Sequence, residues 1–284
     1  MPELTVPGKV FLMGEYGVLQ GSKGICAALK PGYTFQWGEG TSPSPWIHPD
    51  SPLGVYQMDT GHSIFIEQLK VDADLAMGQG FGSSTAELIA GVYADLERLP
   101  ETKRVWAWYR EFFPRASGAD LIAQMEALRT GFALFEVEDG GASSFSASSL
   151  LSEIQVLQIN SDLKLKTHEA LKQDIPTLDV NRMNQLVARV KNGLEQGDRL
   201  DLQAFNEFAE ILNQAGLETK LAHETRLAFS KTTGVYAVKG CGAGLHDVFL
   251  VASELKTPCY FEKINALAER FQFTPLGSLQ ELLW

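Results

Sequence analysis

The chain has 284 residues and a formal net charge of −11, with 45% hydrophobic and 21% charged residues, the balance of a globular protein with ample material for a core. An acidic chain without a local basic patch is not built for nucleic acid, so any anion it binds must be met by backbone donors and a few placed cations. No stretch approaches the roughly 18 apolar residues needed to span a bilayer, the first residues lack a signal-peptide run, and Cys26, Cys241 and Cys259 are too scattered for a disulfide framework or a zinc site, which predicts a protein of the reducing cytoplasm that meets no membrane.

Val6, Val10, Phe11 and Leu12 around Pro7-Gly8-Lys9 predict a bent strand over 4–12. Lys9 stands out, because an apolar segment tolerates an ammonium poorly unless it snorkels or is paired. Gly14-Glu15-Tyr16-Gly17 follows as a turn or a site. Residues 32–60, rich in Gly, Ser and Pro, read as strands joined by turns. Residues 63–70 read as a strand or a short helix.

The stretch Met77 to Ala90 reads M-G-Q-G-F-G-S-S-T-A-E-L-I-A. Gly78, Gly80 and Gly82 allow close backbone approach to a bulky anion. Ser83, Ser84 and Thr85 stand where a helix begins, and a helix N-terminus suits phosphate. A glycine turn that merely caps a helix explains the run almost as well. Leu88, Ile89, Val92, Tyr93 and Leu96 give a helix over 87–99.

Trp106, Trp108, Phe112 and Phe113 suggest a core-packed helix over 102–113. Next, Ser117-Gly118-Ala119-Asp120 opens another helix, in which Asp120 is an N-cap or first-turn acid. A strand is predicted over 131–137 and a Gly/Ser-rich connection over 139–149. In the second half the patterns give a strand at 154–159, helices at 181–195, 202–214 and 219–230, and a strand at 235–238. A second glycine loop, Lys239-Gly240-Cys241-Gly242-Ala243-Gly244, is followed by a strand at 248–252 and a helix at 263–271. Strands and helices mixed without a βαβ repeat predict an α+β fold.

Three stretches, Pro7-Gly8-Lys9 with Gly14-Glu15-Tyr16, then Gly80 to Ala86, then Lys239 with Gly242-Ala243-Gly244, together resemble the three motifs of the GHMP kinases. The resemblance runs nearly the length of the chain. It departs from the usual pattern at Ala76, Phe81 and Thr85 in the middle stretch and at Leu245-His246-Asp247 after the last. Ser117-Gly118-Ala119-Asp120 is similar to the S-G-x-D stretch of mevalonate and phosphomevalonate kinases and disfavours homoserine kinases. Gly14-Glu15-Tyr16, Asp247 and Leu217-Glu218-Thr219 lean toward the phosphomevalonate branch.

The resemblance implies a GHMP kinase fold, with an N-terminal half like ribosomal protein S5 domain 2 (1–148) and a ferredoxin-like C-terminal half (149–284). It implies an ATP- and Mg²⁺-dependent kinase of the mevalonate (isoprenoid) pathway, monomeric or homodimeric, with mevalonate or phosphomevalonate as acceptor. A diphosphomevalonate decarboxylase or a silent ATP sensor of the same fold are the alternatives. Asp120 would be the catalytic base beside Lys9. Gly78, Gly80, Phe81, Gly82, Ser83, Ser84 and Thr85 would hold ATP, and Glu15, Tyr16, Gly242, Ala243 and Gly244 the acceptor. Ser84 and Glu111 would bind the metal. A phosphorylated acceptor would need further cations, for which Lys23, Arg110 and Arg115 are candidates. Gly242→Val is expected to harm substrate binding more than stability.

Overall fold

The computed structural model describes residues 2–37, 47–61, 66–71, 80–160, 175–242, 245–254 and 256–284. Of the residues singled out above, Ala76, Met77, Gly78, Ala243 and Gly244 lie outside these, as do parts of the 32–60 and 63–70 readings.

The first sheet is built on a long antiparallel pair, β1 (Glu3–Met13) and β2 (Gly24–Trp37). Their register shifts between Pro7 and Gly8, where Pro7 faces Gly32 but Gly8 faces Leu29. Proline cannot donate to the ladder, and the extra residues on β2 bend the ribbon there, as the sequence predicts. On its other edge β2 pairs with β3 (Ile66–Val71) and with β4 (Leu134–Glu138), and β4 pairs with β5 (Gly141–Ser144). Against this sheet pack α2 (Ser83–Leu96) and α4 (Ala119–Thr130), with α1 (Pro52–Thr60) lying on α2 and α3 (Thr102–Phe112) on α4.

Two expectations fail in this half. Residues 52–60 form a helix rather than strands, because Ser51 caps it by accepting from Gly54 N–H, Pro52 starts it and Gly61 ends it in the left-handed region. Part of the Gly/Ser-rich connection forms β5, which turns back on β4 through Asp139-Gly140.

The second sheet has the order β7-β8-β6-β9, antiparallel throughout, from β6 (Ile154–Ile159), β7 (Val235–Cys241), β8 (Val248–Ser253) and β9 (Phe273–Ser278). Helices α5 (Val180–Gln196), α6 (Arg199–Leu202), α7 (Ala204–Gln214) and α8 (Lys220–Ser230) connect β6 to β7, and α9 (Pro258–Arg270) connects β8 to β9. That strand order is ferredoxin-like. A last turn, α10 (Leu279–Leu282), carries a Ser278/Glu281 capping box. Lys239, Gly240 and Cys241 belong to strand β7, not to a loop, so Lys239 is pinned in the ladder opposite Leu250.

One apolar core runs through both sheets, from Val6, Phe35 and Phe81 to Phe205, Phe208 and Phe249. Each such phenylalanine contributes roughly 2–3 kcal/mol of burial. The halves are also stitched by polar contacts. Asn184 Oδ1 accepts from Ser22 Oγ and Lys23 N, Leu178 N donates to Gln20, and Trp284 N donates to Ala28 O. Among the described residues no helix is long and apolar enough to cross a membrane.

Candidate active site

One cleft gathers residues from all four stretches singled out by sequence: Lys9, Glu15 and Tyr16; Gly80 and Gly82 to Thr85; Ser117, Gly118 and Asp120; and Gly242. Two helix N-termini open onto it. Gly82 is the N-cap of α2 with φ +81°, and Gly118 is the N-cap of α4. The first internal bond of α2 is Ala86 N to Gly82 O, so the earlier amides of Ser83 to Thr85 have no acceptor within the helix. Partial positive charge and amide donors therefore face the cleft without any net-basic surface.

Lys9 is only 5% exposed, yet it is paired: Nζ lies 2.7 Å from Asp120 Oδ1. Its backbone N–H donates to Phe81 O (3.0 Å), which locks the first strand to the glycine loop. Burial alone would lower the Lys9 pKa, but Asp120, Cys26 and Glu15 outweigh it, and the value is raised. Asp120 is a first-turn acid of α4 rather than its N-cap, and it keeps one side open to the cleft.

Not every expected residue faces the ligand space. Phe81 is wholly buried in the core and takes part through its carbonyl. The Thr85 hydroxyl is spent on Gln124 Oε1 (2.6 Å) and Gly82 O. Glu111 is exposed and is not among the cleft residues. Helix α3 buries Val105 and Tyr109, so its inner face carries Tyr109, which lines the cleft, while Glu111 falls on the outer side. Among the described residues the acids that line the cleft are Glu15, Asp120 and Asp247, the last packed against Gly80 and Gly242. Of the candidate cations Arg115 alone lines it; Lys23 pairs with Glu136 and Glu138, and Arg110 bonds Ala116 O. Glu218 is turned inward, holding Arg226 through two 2.8 Å bonds, which gives it a structural role.

Gln124 was not anticipated. One turn beyond Asp120 and fully buried, it donates to Pro7 O (2.8 Å) and Gly82 O (3.1 Å) and accepts from Thr85 Oγ1. It ties the bend before Lys9 to the start of α2. Gln124→Leu should cost about 2–3 kcal/mol of stability, because it strips a donor from a buried carbonyl and leaves a hydroxyl half-satisfied. A urea midpoint close to that of the wild type would contradict this.

Burial pushes the thiols of Cys26 and Cys241 up, the latter to about 12, so neither serves as a nucleophile near neutrality. Burial also raises the Glu87 carboxyl, on α2, to about 7. Between its ordinary value and 7 the folded state holds a proton that the unfolded chain has lost. Stability therefore falls as pH rises through that window. Glu87→Gln should gain roughly 1–3 kcal/mol over the wild type at pH 8 and nothing at pH 4.5. Urea unfolding at the two pH values checks it, and an equal difference at both would refute the cause.

No protein-family model matches the sequence, and no curated protein matches it. Solved structures do match. The chain resembles a phosphomevalonate kinase of Streptococcus pneumoniae in complex with phosphomevalonate and AMPPNP (12% identity, TM-score 0.70, 97% of this chain and 98% of that one). It also resembles the Lin0012 protein of Listeria innocua (15%, 0.68, 97% and 96%) and an L. major mevalonate kinase in complex with R-mevalonate (14%, 0.67, 97% and 95%). The fold is thus the α+β GHMP kinase fold.

Proposed function

We propose that the chain is an ATP-dependent phosphotransferase acting on mevalonate or phosphomevalonate. The observation that carries this reading is the Lys9–Asp120 pair, 2.7 Å apart, in the same cleft as the N-terminus of α2. Phosphoryl transfer asks a protein chiefly for positioning and charge stabilisation. The amides at Ser83 to Thr85 would hold the nucleotide phosphates, and Gly80 and Gly82 would let the backbone approach them.

The acceptor oxygen attacks the γ-phosphorus, the bond to the β-phosphate oxygen breaks, and ADP leaves. For an alcohol acceptor, Asp120 takes the hydroxyl proton as the new bond forms. Lys9 stabilises the charge on the transferred group. For a phosphorylated acceptor the attacking oxygen is already anionic, and Asp120 and Arg115 would position it.

Among the described residues no group of three or more His, Cys, Asp or Glu side chains is arranged to hold a metal ion. Mg²⁺ needs only one or two protein oxygens beside the phosphates. The Ser84 hydroxyl fits that need, and Asp247, against Gly80, is the acid we assign to it in place of Glu111. Mg²⁺ bound there would neutralise phosphate charge.

Release of ADP from ATP and Mg²⁺, followed with mevalonate and with phosphomevalonate in parallel, tests the reading. Turnover on one acceptor without loss of CO₂ is expected. CO₂ release would favour the decarboxylase, and ATP binding without turnover on either would favour a sensor.

A further inference from the structure

Lys239 has no part in the mechanism above, yet it is 0% exposed on β7 and points at the other half of the molecule. A buried ammonium is costly unless its donors are used. Its Nζ lies 2.5 Å from Glu15 Oε1, donates to Gly240 O (3.0 Å) and sits over the Phe208 ring. The lysine is fully employed; Glu15 is not.

Glu15 is 6% exposed and lines the cleft with Lys9 and Asp120, but among the described residues its buried Oε2 has no hydrogen-bond partner. A buried acceptor left unmet is uncommon in native structures and marks a place for a missing donor. Because Lys239 already balances the carboxylate, that oxygen lacks a hydrogen rather than a charge. A neutral hydroxyl satisfies it; a second cation would leave the wall net positive.

Resting on the phosphotransferase reading, we propose that Lys239 is a positioning residue, holding Glu15 so that its Oε2 accepts a hydroxyl of the acceptor other than the one phosphorylated. The acceptor is then a compound with a hydroxyl besides its reacting group. Mevalonate and phosphomevalonate both meet that description through the hydroxyl at carbon 3. Lys239 sits above its ordinary pKa, since burial lowers it but Cys241 and Glu15 more than offset this, which agrees with a permanently charged clamp.

The test compares turnover of mevalonate and phosphomevalonate with that of their 3-deoxy analogues. Wild type should prefer the hydroxylated form by about 100-fold or more in kcat/KM, as sites built around a substrate hydroxyl do. Lys239→Met alone strands a buried carboxylate and can fail to fold. The paired variant Glu15→Met/Lys239→Met removes both charges at similar volume, which buried ion pairs often tolerate. It should fold, bind ATP normally, raise the acceptor KM more than it lowers kcat, and lose the preference. Glu15→Gln/Lys239→Met, which keeps an acceptor oxygen, should restore part of it. A folded Met/Met variant with undiminished preference, or a wild type that accepts the deoxy form equally, overturns this assignment alone. A wild type that phosphorylates neither hydroxylated compound overturns the acceptor reading and this assignment with it.

Discussion

Asp120→Asn is expected to reduce kcat by roughly 10²–10⁴ on an alcohol acceptor, the usual weight of a positioned general base. Lys9→Met should cost a comparable factor, about 10²–10³, by removing charge stabilisation from the transferred group. The two side chains form one unit at 2.7 Å, so their double variant should be little worse than the poorer single one. Folding is not the issue with Lys9→Met, because the Asp120 side chain is 34% exposed and water can hydrate it once its partner is gone. Asp120→Asn leaves a lysine side chain only 7% exposed without its partner, so it should also lower the melting temperature. The size of the Asp120→Asn effect separates acceptors: a phosphate acceptor carries no proton to remove, and the loss on it should be smaller. ADP release by the purified variants, with circular dichroism as the check on folding, measures all of this. Near-normal turnover of an alcohol acceptor in either single variant would remove the pair from the mechanism.

How much of this was legible beforehand depended on whether the signal was local. The strand at 154–159 and the start of α3 follow from the residue pattern within one window and stand as read, and the helix expected from 219 begins one residue later, with Thr219 as its N-cap. Lys9 and Asp120 could be matched because each lies in a recognisable stretch, although the cleft joins them across 111 positions. Glu111 lies off the cleft, because distance along the chain suggests it while helical phase turns it away. Val105 and Tyr109, four apart, define the inner face of α3, and a residue two further on points outward. Gln124 was illegible for a different reason. A glutamine in a helix reads as a solvated position, and only the packing of α4 against Pro7 and Gly82 reveals it as a junction. The Glu15–Lys239 pair spans both sheets, and nothing local to either residue announces it.

Gly242→Val is expected to be as severe as the changes at the ion pair, but through the fold as well as the ligand. The sequence suggests a loop glycine whose loss would chiefly harm substrate binding. Gly242 instead has φ +86°, and a Cβ there would lie 2.4 Å from Asp247 Oδ2 and 2.7 Å from Asp247 Cβ. Asp247 has nowhere to withdraw. It is 2% exposed, its N–H is bonded to Cys241 O, its carbonyl accepts from Ile159 N, and its side chain already abuts Gly80. A β-branched residue in the left-handed region adds strain to that overlap, and together they should cost about 2–5 kcal/mol. That is a large share of the roughly 5–15 kcal/mol that holds a typical domain together. Displacing Asp247 also presses on the glycine loop at the head of α2, so nucleotide affinity should fall in whatever fraction remains folded. Urea midpoints of wild type, Gly242→Ala and Gly242→Val should fall in that order, since alanine has the positive φ to bear but a single methyl to accommodate. A Gly242→Val protein of normal stability with a raised acceptor KM would instead mean that the loop relaxes around the side chain and that this glycine serves the ligand alone.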